Sequence, residues 1–175
     1  MSEPRAPEPV ERFLADNRAD LVETAEVLLG HDTANPPGHT ATAASWIASR
    51  LEGAGVDVER IAVDPEKPNL VATLPGVADR TLCLVGHLDT VPFDASEWSR
   101  DPLGERDGGR LYGRGATDMK GAVAAMAHVA LAYAETDAAP PVDLQFAFVG
   151  DEETGGDAGL PSVREAIEFV PDACV

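Results

Sequence analysis

Apolar positions return along this chain in two rhythms. From Val10 to Leu29, residues Phe13, Leu14, Leu21, Val22, Ala25, Leu28 and Leu29 recur at roughly helical spacing, and Gly30 closes that predicted helix. A second amphipathic helix is predicted over Ala41–Leu51, stopped by Gly53 and Gly55. An Ala-rich third opens at the glycine-rich segment Gly113–Lys120 and runs to about Glu135. The other rhythm is the short apolar run. Val56–Val63 reads as a strand with a phase break near Arg60, and Asn69–Leu74 as another. Thr81–Val85 and Val142–Val149 are continuous apolar runs, the mark of strands buried on both faces. Gly104–Tyr112, built around Asp107-Gly108-Gly109, reads as a small hairpin. A short helix near Val163–Glu168 and a strand over Asp172–Val175 complete the pattern. Residues 1–9 are Pro- and Glu-rich and read as a loose tail, with one folded unit over 10–175. Asn35-Pro36-Pro37-Gly38 is a turn signal.

Helices alternating with apolar strands predict an α/β/α sandwich around a central, mostly parallel sheet. Ligands of such sheets sit beyond the carboxyl ends of the strands. The polar clusters of this chain fall at those ends. His87 and Asp89 follow one strand, Glu152 and Glu153 follow another, and Asp118 lies where the glycine-rich segment enters its helix.

Composition narrows the partners. The chain of 175 residues carries 31 acids against 13 bases, a formal net charge of −18. A surface this negative repels phosphate backbones and anionic membranes, so nucleic acid and membrane are excluded as charge-driven partners. The acids are spread rather than blocked, and only Lys67 and Lys120 are lysines. That pattern favours adaptation to a salty cytoplasm over an acidic tail. The first residues hold no apolar signal core, and no apolar run reaches 18 residues, so a cytoplasmic protein is expected. Cys83 and Cys174 read as small buried hydrophobes rather than a disulfide. His128 reads as an ordinary helix-face residue, and His31 and His39 have no partner in view.

Each polar cluster has a plain reading beside a chemical one. His87-Leu88-Asp89 could bind a cation through imidazole, with the carboxylate fixing the ring, or could simply end a strand. Gly113–Gly121 has neither Walker nor dinucleotide spacing, so Asp118 is a metal ligand or a helix N-cap. Asp151-Glu152-Glu153 places three like charges together, a cost that a cation would relieve, or forms an exposed acidic loop. Together the clusters supply a mixed N/O set suited to hydrolytic zinc.

In order and spacing, VGHLDTVP, LYGRGATDMKGAVAAM and FVGDEETGG resemble the signatures of the M20 metallopeptidases of the acetylornithine deacetylase and succinyl-diaminopimelate desuccinylase type. Asn35-Pro36-Pro37-Gly38 resembles a segment near the start of that family, and the likeness runs from about residue 20 onward. It implies a zinc-exopeptidase-like fold and two divalent metal ions, zinc above all, with cobalt or manganese as alternatives. His87, Asp118 and Glu153 would ligate metal, with Asp118 bridging and followed by a cis peptide bond. Asp89 would orient His87. Glu152 would be the general base that takes a proton from the attacking water and returns it to the leaving amine. The family pattern needs a further acidic ligand and a distant histidine, so the resemblance implies an incomplete second site and an absent lid and dimerisation domain. Through that domain, full-length relatives would be homodimers.

Three functions follow as expectations. One is a metal-dependent hydrolase cleaving the amide bond of an N-acyl amino acid or small peptide. Another is a truncated, inactive fragment of such an enzyme. The last is an acidic module that only binds cations.

Overall fold

A computed structural model describes residues 6–167 and 170–175. The predicted first helix is two. Helix α1 spans Glu8–Asp16 and α2 spans Arg18–Gly30, with Asn17 between them donating its side-chain amide to the Phe13 carbonyl at 2.9 Å. The apolar spacing continues across this break, which is why sequence alone reads one helix. Helix α1 starts two residues inside the segment expected to be loose, and Val10 is already in the core. Helix α3 (Ala41–Gly53) buries Ala43, Ala44, Ile47, Ala48 and Leu51, the i, i+3, i+4 stripe of an amphipathic helix.

The strands follow as β1 (Asp57–Ile61), β2 (Asn69–Leu74) and β3 (Ala78–His87). The hairpin pairs β4 (Glu105–Asp107) with β5 (Arg110–Tyr112) across Gly108-Gly109. Then come α4 (Lys120–Thr136), β6 (Val142–Val149), α5 (Leu160–Ala166) and β7 (Ala173–Cys174). Five strands form one sheet in the order β1-β2-β6-β3-β7. Strand β2 runs antiparallel to both neighbours, while β6, β3 and β7 pair in parallel. Four of the five strands therefore point the same way, as the alternation of helices and strands predicts.

Two layers of helix cover the sheet unequally. Helices α1, α3 and α4 pack over the larger core with Leu70, Phe146 and Phe148. Helix α4 is buried on almost every side because α1, α2 and α3 pack around it. Its alanines permit that approach, and so does the strand beneath. A Cβ at Gly86 would stand 2.8 Å from Met126 Sδ and 3.2 Å from Val123 Cγ2. The other face carries a smaller core of Ile61, Val71, Cys83, Ala147, Val149 and Val163, capped mainly by the short α5. Thr81 and Val85 stay half-buried under that thin cover, and Leu82 and Leu84, on the face of the larger core, are half-buried as well. The run read as buried on both faces is thus fully enclosed only at Cys83.

Candidate metal centre

The site forms where β3 and β6 end side by side, their last residues His87 and Val149 paired in register. Just past them, the chain of each strand turns into a loop of acids. Asp89 is fully buried between the two loops and acts as their hub. Its carboxylate accepts hydrogen bonds from the Glu152 and Glu153 amides at 3.1 and 3.0 Å. It also accepts from the Asn35 side chain at 2.7 Å. Burial alone would push the Asp89 carboxyl up, but hydrogen bonds from His87, Asn35 and these amides hold it at about 2. Asp89 is therefore a fixed anion beneath the site.

His87 contacts Asp89 chiefly through the main chain. Its Nδ1 lies 3.0 Å from the Asp89 carbonyl and 3.5 Å from the Asp89 carboxylate. With Nδ1 so engaged, Nε2 faces the cleft, 3.1 Å from Asp118 Oδ1 and 3.9 Å from Glu152 Oε2. Burial pushes His87 down, yet its contacts with Asp89 and Asp118 more than reverse this and raise it to about 9. The ring sits in a field built to hold positive charge.

Asp118 does not cap α4. Met119 is the N-cap residue and makes no side-chain cap, while the Asp118 carboxylate turns to His87 and its side chain stays 78 % exposed. The Asp118–Met119 bond is cis. The approach loop is tight: Gly115 takes φ +86°, and a Cβ there would stand 2.7 Å from Thr90 Cγ2.

The three consecutive acids part company. Asp151 turns away from the cleft and pairs with Lys67 at 2.6 Å. Glu152 is open to solvent, its side chain 59 % exposed. Glu153 accepts a hydrogen bond from the Val91 amide at 3.2 Å. Burial raises Glu153, His87 opposes the rise, and the negative charges of Asp118, Asp89 and Glu152 add to it. Among the described residues, ligand atoms of His87, Asp118 and Glu153 lie within 4.8 Å of one another. Tetrahedral sites with bonds of about 2.1 Å hold their ligand atoms roughly 3.4 Å apart. Asp118 is exposed enough to rotate through the difference. One imidazole nitrogen, two carboxylates and a surplus of negative charge fit a divalent cation.

The sequence marks Asp151 only as one of three clustered acids and does not point to Asn35 or Lys67 as supports of this centre. Asn35 Nδ2 bridges the loops, donating to Asp89 and, at 2.8 Å, to Asp151. The only signal for Asn35 is the Asn-Pro-Pro-Gly turn, which also resembles a segment near the start of the family. The structure also corrects one minor expectation, the burial of Cys174, and adds detail at two histidines. His128 lies buried on α4, with its ring 5.6 Å from Phe13. The His31 carbonyl accepts from Lys120 Nζ at 2.7 Å. Cys174 is exposed.

A parallel-rich α/β sheet with a His/Asp/Glu cluster at its carboxyl edge is a layout that can hold a divalent cation. The chain belongs to peptidase family M20/M25/M40, whose sequence pattern matches residues 83–175. It is 42% identical over 120 residues to a succinyl-diaminopimelate desuccinylase of Xanthobacter autotrophicus, covering 66% of this chain and 31% of that protein. It is 38% identical over 131 residues to an acetylornithine deacetylase of Vibrio campbellii, covering 74% of this chain and 33% of the relative. Its fold matches human carnosine dipeptidase 1 with a TM-score of 0.77 at 26% identity, over 92% of this chain and 38% of that one. The chain thus spans about a third of the length of the relatives it matches. No helix among the described residues is long and apolar enough to cross a membrane.

Proposed function

We propose that this chain carries the core of a metal-dependent amide hydrolase acting on an N-acyl amino acid or small peptide. The observation that carries the reading is the convergence of His87 Nε2, Asp118 and Glu153 beside a free Glu152 carboxylate. His87, Asp118 and Glu153 would hold divalent metal, zinc by preference and cobalt or manganese as alternatives, with Asp118 shared between two ions. When bound, the metal supplies Lewis acidity toward an amide carbonyl and makes water more acidic. The protein's own work is positional. Asp89 holds the His87 ring so that Nε2 faces the cleft. Glu152 stands where it can take a proton from an attacking water and pass it to the leaving amine. Acyl-ornithine and succinyl-diaminopimelate types are the substrates we favour, since relatives named for those reactions match this chain.

The test uses zinc, cobalt or manganese titrated into the chelated protein, followed by amine release from N-acetylornithine and N-succinyl-diaminopimelate. Wild type is expected to bind metal and hydrolyse at least one of these substrates. Glu152→Gln is expected to keep metal affinity within a few-fold while losing roughly 10²–10⁴ in rate. Equal activity in the variant would remove Glu152 from its role, and metal binding without hydrolysis by wild type would favour an inactive fragment of such an enzyme or a cation-binding module.

A further inference from the structure

Cys83 and Cys174 are far apart in sequence, yet the sheet sets them side by side. Strand β7 pairs in parallel with β3, and Cys83 stands directly opposite Cys174. The register is held next to the pair. The Val175 amide donates to the Cys83 carbonyl at 2.9 Å, and the Val85 amide to the Val175 carbonyl at 2.9 Å. Residues in register on neighbouring strands project from the same face. Here it is the α5 face: Cys83 packs in the smaller core with Val149 and Val163, and Cys174 borders a cleft with Val85, Leu160 and Arg164. Neighbouring strands lie about 4.8 Å apart, inside the ~4.4–6.8 Å Cα separation that a disulfide spans. Burial pushes the Cys83 thiol up to about 12, and the adjacent Cys174 side chain adds to the rise. Cys83 is buried and Cys174 exposed, so the two differ in access to a reagent.

We propose that Cys83 and Cys174 form a reversible dithiol/disulfide pair, oxidised by small-molecule disulfides, that ties the edge strand β7 to β3. Cys174, being exposed, reacts first. Its thiolate, having lost a proton to solvent, attacks one sulfur of the reagent disulfide. A mixed disulfide forms and one small thiolate leaves to take up a proton. Cys83 then gives up its proton and attacks the Cys174 sulfur. The protein disulfide forms as the bond to the second small thiol breaks. Two protein thiols lose two electrons and two protons, and the reagent disulfide gains them as two small thiols. The proximity of two in-register thiols offsets the weak ionisation of Cys83. The cross-link joins the edge strand to the strand that ends in His87.

The test exposes the whole chain to graded mixtures of oxidised and reduced glutathione, then counts thiols by acid quench and mass spectrometry. These are the chain's only two cysteines, so the count is unambiguous. Free thiols are expected to fall together from two per chain to none. The product should be a monomer lighter by two hydrogen atoms, with a Cys83–Cys174 linked peptide after digestion. Cys83→Ser is expected to stop at a glutathione adduct on Cys174. Cys174→Ser, at an exposed position, should leave Cys83 unmodified over the same exposure. A wild-type end point of glutathionylated Cys174 beside free Cys83, or chains linked to each other through Cys174, would overturn the proposal.

Discussion

Replacing Asn35 by alanine removes a side chain that touches both acid-bearing loops. Its amide donates to Asp89 at 2.7 Å and to Asp151 at 2.8 Å, both acceptors being buried carboxylates. Hydrogen bonds to charged groups contribute about 1.5–3 kcal/mol each. Neither acid is orphaned by the change. Asp89 keeps the Glu152 and Glu153 amides, and Asp151 keeps Lys67 and Thr154. The low end of the range therefore applies, and the two bonds sum to about 3 kcal/mol. With a urea slope of about 2 kcal/mol/M, the unfolding midpoint should fall by roughly 1.5 M. Fluorescence of Trp46 and Trp98 in chelated protein reads that shift directly. Asn35→Asp separates hydrogen bonding from packing. It keeps the shape, removes both donors and adds a third carboxylate, so at neutral pH it should lose more than Asn35→Ala. Metal affinity should drop about 10–100-fold in either variant, since the support of a ligand is disturbed. A stability loss below about 1 kcal/mol in Asn35→Ala, with metal affinity unchanged, would refute the bridging role.

Other perturbations test separate parts of the molecule. Burial lowers the pKa of His128, with Asp20 opposing and Arg50 assisting. Its contribution to stability is therefore complete above the unfolded value of about 6.5 and is lost as pH falls through the folded value. His128→Leu should flatten the decline in urea midpoint between about pH 7.5 and pH 5.5, and equal slopes in both proteins would contradict this reading. Gly115→Ala puts a methyl group 2.7 Å from Thr90 Cγ2 at φ +86°, and should destabilise by about 1–3 kcal/mol as read by thermal midpoint. If the net charge of −18 marks a salt-adapted surface, the thermal midpoint should climb steadily as potassium chloride rises from millimolar to molar. A flat or falling response would assign the acids to something else.

Much of this architecture was legible because its signals are local. Strands β2 and β6 begin and end where their apolar runs do, and the Asp107-Gly108-Gly109 turn predicts its hairpin. The cluster proposed as metal ligands was legible for another reason. His87, Asp118 and Glu153 each follow a distinct break from apolar run to polar loop, and each lies inside a family signature. What escaped depends on contacts across the fold. Asn17 splits the first helix while the apolar spacing runs on through it. Asn35 lies 54 residues from Asp89 and 116 from Asp151, so nothing nearby in sequence announces a bridge. The Cys83–Cys174 pairing is likewise a fact of register, which the separate strand patterns do not encode. Residue type alone does not separate the acidic triplet, and the fold turns Asp151 inward to Lys67 and leaves Glu152 open to solvent.

The placement of the two lysines bears on the charge of the whole chain. Every other base except the histidines is an arginine, and Arg12, Arg50 and Arg100 pair with acids on or near the surface. Both lysines lie beneath the candidate metal centre. Lys67 neutralises Asp151, and Lys120 is buried with its Nζ donating to the His31 carbonyl at 2.7 Å. Burial lowers Lys120 to about 8, while Asp32 and Asp89 hold it up. A buried carboxylate without a counter-charge costs several kcal/mol. Lys67 and Lys120 thus place positive charge on the protein side of Asp151 and Asp89. That leaves Asp118, Glu152 and Glu153 facing the cleft as the acids with no lysine behind them, the His87 ring lying beside Asp118 and Glu152. A bound cation then has to balance the outer carboxylates only. Lysine is absent where solvent governs residue choice and present where burial does. This division supports the salt reading of the surface and separates it from the chemistry of the site.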